Sequence, residues 1–276
     1  MDIGILGPLV VGANDREATP SAPKPRQLLA LLAAHAGRVV PVDLMVDELW
    51  ESTPPPSALT TVQTYIVLLR RLLAKSLQVS SAEVAREVLT YTGWGYQLAA
   101  GKGTHDASLF ARYADLGRRA LAAGDNSRAS GALREALAFW RGPALADIRT
   151  GPHLLAHRVS LEEQRMGAVE QRIEADLRLG RHHELIGELS GLTVQHPLHE
   201  NMHSLLMIAL YRSGRPGQAL ETFQKLHQNL RNELGMEPSP NTRTVQQRIL
   251  RRDSTMEADQ QSKLFPQEII PSRPTG

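Results

Sequence analysis

Apolar positions alternate in the opening residues of the chain and then settle into helical stripes that run almost to its end. Between Asp2 and Val11, Ile3 alternates with Ile5 and Gly7-Pro8 breaks the run, which predicts two short strands. Lys24-Pro25-Arg26 leads into QLLALLAAHA, a run of strong helix formers that stops at Gly37. Val39-Val40-Pro41 reads as an extended connection. VDLMVDELW reads as a second helix, with Asp43 in its first turn and Val42, Met45, Val46, Leu49 and Trp50 placed to face a core. The loop ESTPPPS comes next, stiff and exposed because successive prolines cannot continue a helix. Beyond it Ser57 is placed to cap a third helix running to Lys75. Within that helix Leu59, Val62, Ile66, Leu69 and Leu73 recur at intervals of three and four, one stripe directed at a core. EVLTYTGWGYQLA closes this half as two strands around Gly93-Trp94-Gly95, a β-hairpin.

The opposite face of the third helix carries Ser57, Thr60, Thr61, Thr64, Val67, Leu68, Arg71 and Lys75, flanked by Gln63 and Arg70 on one side and Tyr65 on the other. The segment holds no acidic residue. Short hydroxyl and amide side chains in its first half can approach base edges, and the cations in its second half suit phosphates. An amphipathic surface helix with solvated cations would show the same pattern; the neighbouring elements decide. Strands, three helices and a terminal hairpin in that order make a winged helix-turn-helix with a leading sheet, in which the third helix enters the major groove and the hairpin is the wing. The expected DNA-contacting residues are Thr60, Thr61, Gln63, Thr64, Tyr65, Leu68, Arg70, Arg71 and Lys75, with Thr92, Gly93 and Trp94 at the wing tip. Trp94 is there either to pack or to touch the minor-groove sugar-phosphate edge.

The second half is helix after helix with a hidden period. Gly180 and Gly214 stand 34 residues apart, the length of a tetratricopeptide repeat. Aligning Gly124 with them places Leu121, Leu177 and Tyr211 three before, Ala129, Leu185 and Ala219 five after, and Leu133, Leu189 and Phe223 nine after, the buried positions of stacked helix–turn–helix units. Gly124 and Gly180 are 56 residues apart, 22 more than one period, and the excess contains WRGPALADIRTGPH, read as an inserted loop. The expected fold class is therefore mainly α. A winged helix-turn-helix occupies residues 1–100, a linker lies at Ala99-Ala100-Gly101-Lys102-Gly103, tetratricopeptide-like helices fill residues 105–252, and 253–276 form a polar, proline-punctuated tail expected to be disordered. On this reading residues 1–100 should fold and bind DNA alone.

Composition narrows the chemistry. The absence of cysteine rules out disulfides, thiolate metal sites, iron–sulfur clusters and cysteine nucleophiles, and fits a reducing compartment. The N-terminus lacks a basic leader with a long apolar core, and no later run approaches a membrane span, so the chain reads as cytoplasmic with no membrane partner. Ten histidines invite a metal site, densest at His182-His183 with His196 and His199. Adjacent histidines on a helix point apart and no carboxylate cage accompanies them, so the structural reading is preferred and no metal is expected. SGRPGQAL is glycine-rich but lacks the Gly-Lys-Ser/Thr ending of a phosphate loop. Neither a cofactor nor a catalytic residue is expected, and the chain is not read as an enzyme. Residues 1–100 hold 8 Lys/Arg against 9 Asp/Glu, which counts against DNA by bulk charge. The cations are segregated, however: Arg70, Arg71 and Lys75 lie in the acid-free helix, while Asp43, Asp47, Glu48 and Glu51 cluster just before it.

The order of these parts, the LLRRLL end of the third helix and the TGWGYQL hairpin resemble the OmpR-type DNA-binding domain. ALAFWRGPALAD, LEEQRMGAVEQRIEADLRLGRHHELIGEL, HPLHENMHSLLMIALYRSGRPGQAL and ELGMEPSP resemble the bacterial transcriptional activator domain. Together they resemble the Streptomyces antibiotic regulatory protein family over about nine-tenths of the chain. Leu68 departs from the OmpR pattern, which carries an arginine there; the leucine either meets a thymine methyl or deletes a phosphate contact. The resemblance implies a transcriptional activator of an antibiotic-type gene cluster, binding direct repeats near the promoter −35 element with two copies side by side. It also implies contact with RNA polymerase and its sigma factor, through the ESTPPPS loop at Glu51, Ser52 and Thr53 among other surfaces. The competing reading is a helical-repeat adaptor or ligand-sensing regulator whose winged helix mediates protein contacts.

Overall fold

The computed structural model describes residues 1–13, 16–99 and 103–253. The linker residues 100–102, and the tail from 254 onward, lie outside the described residues. The N-terminal elements are β1 (Asp2–Gly4), β2 (Val10–Ala13), β3 (Arg16–Glu17), α1 (Pro23–Ala34), β4 (Val39–Pro41), α2 (Val42–Trp50), α3 (Ala58–Leu77), α4 (Ser81–Glu87), β5 (Leu89–Tyr91) and β6 (Gly95–Leu98). Seven helices come after them: α5 (Asp106–Ala122), α6 (Asn126–Ala138), α7 (Pro152–Arg178), α8 (His182–Gln195), α9 (Glu200–Arg212), α10 (Pro216–Leu234) and α11 (Pro240–Leu250). By packing, the chain divides into two compact units, Met1–Ala114 with Glu135–Ala168, and Asp115–Arg134 with Val169 onward.

In the first unit β1, β2 and β3 form an antiparallel sheet in that order, one strand more than the sequence pattern predicts. Val39–Pro41 is also a strand: Val40 pairs opposite Tyr96, so the hairpin belongs to a three-stranded sheet of order β4-β6-β5. Helix α1 begins at Pro23, earlier than expected, because proline suits the first helical turn where its missing N–H costs nothing. The short α4, which the sequence pattern does not predict, precedes the hairpin; the Ser80 hydroxyl caps it by accepting from the Glu83 N–H, at capping-box spacing. Of the residues expected to face the core from α2, Met45 and Leu49 are buried, while Val42, Val46 and Trp50 are half-buried.

Two expectations for α3 fail. Ala58, and not Leu59, completes the buried stripe with Val62, Ile66, Leu69 and Leu73; Leu59 is 56% exposed. Positions 58 and 59 flank the centre line of that stripe at the same angular offset, so periodicity cannot choose between them. Ser57 does hold the N-cap position, but its hydroxyl caps nothing. Its backbone, at φ −89° and ψ 11°, is not the extended conformation that side-chain capping requires.

The first unit is tied together by a buried carboxylate. Glu48 on α2 is only 1% exposed. Its two oxygens accept the backbone N–H groups of Gly151 (2.6 Å), His153 (2.9 Å) and Leu154 (3.0 Å), and Gln27 Nε2 of α1 donates to Oε1 at 2.9 Å. Those backbone groups are the unsatisfied donors at the start of α7, where a negative charge is favoured. A side chain at Gly151 would bring its Cβ within 2.2 Å of the Glu48 carbonyl oxygen, so this approach needs glycine. The turn between β1 and β2 is held in the same way: the Asp106 carboxylate accepts from the amides of Ile5 (2.9 Å) and Leu6 (3.0 Å), and Asp147 accepts from Leu9 (2.8 Å). Residues 1–100 therefore do not contain all the partners of their own buried groups.

In the second unit Gly124, Gly180 and Gly214 close the helices that precede them. Each is left-handed, with φ of 79°, 80° and 73°. Each turn repeats one bonding pattern: the glycine amide donates three residues back, to Leu121, Leu177 or Tyr211, and the next amide donates five residues back, to Ala120, Asp176 or Leu210. This pattern satisfies the orphan carbonyls of a helix end, and glycine adopts it without strain. Leu177, Tyr211, Ala129, Leu185, Ala219, Leu133, Leu189 and Phe223 are buried as the period predicts, while Leu121 is only half-buried. The 22-residue excess is shared between a loop and a helix. The α6–α7 connection is nine residues longer than that between α8 and α9 and α7 is fourteen longer than α9, while α6 is one shorter than α8. A second buried carboxylate, Asp176, accepts from Ser130 (2.6 Å), Arg134 (2.6 Å) and Arg181 (2.9 Å).

Glu48→Ala in the full chain is expected to lower stability by about 3 kcal/mol or more, since several buried donors lose their acceptor together. Chemical denaturation measures this, and a loss below about 1 kcal/mol would contradict the structural role assigned to Glu48. A fragment ending at residue 100 should melt without cooperativity, whereas one ending at residue 168 keeps the Glu48, Asp106 and Asp147 partners and should melt cooperatively.

Candidate nucleic-acid interface

The buried stripe of α3 fixes its opposite face toward solvent. Thr60, Gln63, Thr64, Leu68, Arg71 and Lys75 are exposed there, and Thr61 and Tyr65 are half-buried at its margins. Val67, 46% exposed, and Leu68, 37% exposed, put an apolar strip through the middle of this polar face. Two of the first-half hydroxyls are occupied internally: Thr61 Oγ1 donates to the Ser57 carbonyl (2.9 Å) and Thr64 Oγ1 to the Thr60 carbonyl (3.0 Å). Such back-bonding leaves each oxygen free to accept, so both can still receive a donor from a base edge. Arg71 and Lys75 have no hydrogen-bond or ion-pair partner among the described residues, and α3 carries no acid that would neutralise them.

Arg70 is turned differently. Its Nε and Nη2 donate to the Leu89 carbonyl at 3.0 and 2.9 Å, and its guanidinium lies 5.8 Å from the centre of the Tyr96 ring. The side chain expected to reach a phosphate is half-buried and binds α3 to the hairpin. One residue along a helix rotates a side chain by about 100°, which separates an inward Arg70 from an outward Arg71.

The hairpin turns at Gly93, φ +91°, where Thr92 N donates to the Gly95 carbonyl at 3.0 Å. Thr92, Gly93 and Trp94 are all exposed, Trp94 at 60%. The backbone nevertheless anchors the tip, since Val42 N donates to the Trp94 carbonyl at 3.2 Å. Between α2 and α3, Glu51, Ser52 and Thr53 are exposed. Glu51 leaves α2 with φ 53°, and Thr53 N donates to the Trp50 carbonyl at 3.1 Å, so a tight turn presents the three side chains.

The pattern of the sequence does not mark two further cations. Lys24, at the start of α1, and Arg149, in the connection before α7, line a cavity with Thr64, Tyr65 and Leu68. Neither belongs to a periodic stripe, so no spacing signal points to them. Among the described residues, no group of three or more His, Asp or Glu side chains could hold a metal ion. The His182 and His183 rings lie 4.9 Å apart, and His199 Nε2 meets Glu170 at 3.0 Å. No helix among the described residues is long and apolar enough to cross a membrane.

Residues 16–98 match the family described as Transcriptional regulatory protein, C terminal, and residues 105–250 match the Bacterial transcriptional activator domain. The regulatory protein DnrI of Streptomyces peucetius is 49% identical over 253 residues, covering 92% of this chain and 93% of that protein. The transcriptional regulator RedD of Streptomyces coelicolor is 35% identical over 256 residues, covering 93% and 72%. The solved structure of Mycobacterium tuberculosis EmbR in complex with a low affinity phosphopeptide superposes with a TM-score of 0.83 at 32% identity, covering 94% of this chain and 68% of that chain. Two family matches in this order, and a relative nearly half identical over nine-tenths of both chains, place the protein in the Streptomyces antibiotic regulatory protein family of DNA-binding transcriptional activators, which are regulators and not enzymes.

Proposed function

We propose that the protein binds double-stranded promoter DNA by placing α3 in the major groove, recruits RNA polymerase and its sigma factor, and so switches on an antibiotic or other secondary-metabolite gene cluster in the cytoplasm. The observation that carries this reading is the outward face of α3: polar side chains at one end, unpaired Arg71 and Lys75 at the other, and no acid along its length. Thr60, Thr61, Gln63, Thr64 and Tyr65 approach base edges, and Leu68 with Val67 supplies apolar contact of the kind a thymine methyl offers. Arg71 and Lys75 neutralise phosphates, and Arg70 positions the wing. Thr92, Gly93 and Trp94 touch the backbone beside the minor groove. Residues 1–100 read DNA and residues 105–252 serve activation and contact between copies.

Arg71→Ala is expected to weaken binding to specific and random duplexes alike and to lower the slope of log K against log salt by about one. Thr64→Ala should chiefly change sequence preference. Salt titration of an electrophoretic shift tests both, and an unchanged slope for Arg71→Ala would place α3 wrongly. Binding insensitive to salt would favour the adaptor reading instead.

A recognition unit this small reads few base pairs, so two copies side by side on direct repeats supply the specificity. Half-sites should lie about 10–11 bp apart, which keeps both copies on one face of the duplex. Inserting about half a helical turn between them should abolish cooperative binding, and cooperativity that survives would remove the side-by-side arrangement.

Glu51, Ser52 and Thr53 form one polymerase-contacting surface. In reconstituted transcription with the full chain, Glu51→Lys should lower activation without lowering promoter occupancy, read by footprinting. Equal loss of occupancy and activation would assign the loop to DNA and not to polymerase.

A further inference from the structure

A cavity of about 850 Å³ opens beside α3 in the first unit. Part of its wall is the outward side of α3, at Thr64, Tyr65 and Leu68; another part brings in Lys24 and Arg149. Lys24 Nζ donates to the Leu49 carbonyl at 2.6 Å and lies 4.8 Å from the centre of the Trp50 ring, so a carbonyl and an aromatic face hold its ammonium. Arg149 is exposed and makes no hydrogen bond or ion pair among the described residues. Two acids share the lining. Glu48 has already committed both oxygens to Gln27, Gly151, His153 and Leu154, and Glu51 is exposed and forms no ion pair. Burial first, and then the charge of Arg149, hold the Lys24 pKa below its ordinary value. The fold thus keeps two cations around one cavity with no carboxylate bound to either, an arrangement that an anion would relieve.

The position of the cavity selects the anion. An α-helix with its side chains is about 10–12 Å across and the major groove about 12 Å wide, so a helix lying in the groove fills it. Groups recessed along the flank of that helix then meet a sugar-phosphate rim. We infer that Lys24 and Arg149 clamp phosphates of one DNA strand at the rim of the groove that α3 enters. The inference rests on the DNA-binding reading of α3. It gives a DNA contact to Arg149, which lies outside the residues matching the winged-helix family and inside those matching the activator domain.

The test uses the full chain with a promoter duplex and a random-sequence duplex, each titrated with salt. Arg149→Ala should weaken binding to both by the same factor, leave sequence preference unchanged and lower the slope of log K against log salt by about 0.9, the value for one phosphate contact. Arg149→Glu should weaken both further, and Lys24→Gln should lower the slope by a similar step. Arg149 is exposed, so thermal melting without DNA should not change in its variants. Wild-type slope in both Arg149 variants, with Arg71→Ala still lowering it, would overturn the clamp alone. Salt-independent binding by the wild type would overturn the DNA reading beneath it. Heat stabilisation by inorganic phosphate that Arg149→Ala abolishes, with the DNA slope intact, would reassign the cavity to a free small anion and overturn the clamp.

Discussion

Glu48 is the residue on which the DNA-reading unit depends. A carboxylate at 1% exposure is tolerable only if its oxygens are fully engaged, and each of its four partners belongs to the chain flanking α2 in space: one side-chain amide of α1 and three backbone amides at the start of α7. Fixing the end of α2 also fixes the segment beyond it. The turn at Glu51 to Thr53, the entry to α3 and the placement of Lys24 beside Trp50 all stem from the last turn of that helix. The connection carrying Arg149 is held from the other side, because its terminal Gly151 donates to the same carboxylate. Asp176 plays the corresponding part in the second unit, where Ser130, Arg134 and Arg181 converge on one buried side chain. Each of these carboxylates takes donors from segments distant in sequence, Ser130 and Arg134 in the case of Asp176. Such groups contribute by specifying which segments meet, since their desolvation offsets much of the attraction.

Repetition and length made parts of this fold legible in the sequence. Helix α2 runs from Val42 to Trp50, as its pattern indicates, and the three turn glycines identify the helix pairs because a left-handed residue recurring at a fixed distance marks the end of a repeated helix. The elements that escaped were decided by tertiary partners. Strand β4 is too short to show an alternation, and becomes a strand only because β6 supplies the ladder. Leu59 and Ala58 are equivalent by period, and the packing buries the smaller side chain. Glu48 looked like one member of an acidic cluster beside Asp43, Asp47 and Glu51, although it alone of the four is buried. A buried carboxylate is recognisable only once its donors are in place, and here most of them lie about a hundred residues downstream.

The same contrast holds within the interface. Arg70 and Arg71 are adjacent and chemically identical, yet one binds the hairpin and the other meets solvent. Composition could count both as phosphate ligands; only the register of α3 on the core tells them apart. Tying the hairpin through Arg70 has a functional consequence. A hairpin bonded to α3 is held in one arrangement with it, so on the DNA-binding reading proposed above helix and hairpin form one preorganised surface and less ordering is required on binding.

The boundary between reading and activating residues differs between sequence families and packing. The family match for the activator domain begins at residue 105, yet residues 105–114 and 135–168 pack in the same unit as the winged helix. They contribute Asp106, Asp147, Gly151 and the start of α7, groups without which the amides of Ile5, Leu6 and Leu9 lose their acceptors and the carboxylate of Glu48 keeps only Gln27 of its four donors. An unpaired buried donor or charge costs enough to destabilise either segment taken alone. The long connection after α6 therefore has a structural reason to persist as an insertion in an otherwise regular repeat: it completes the interior of the unit that carries α3. It also delivers Arg149 to the flank of that helix, so one segment both stabilises the recognition surface and extends its positive charge.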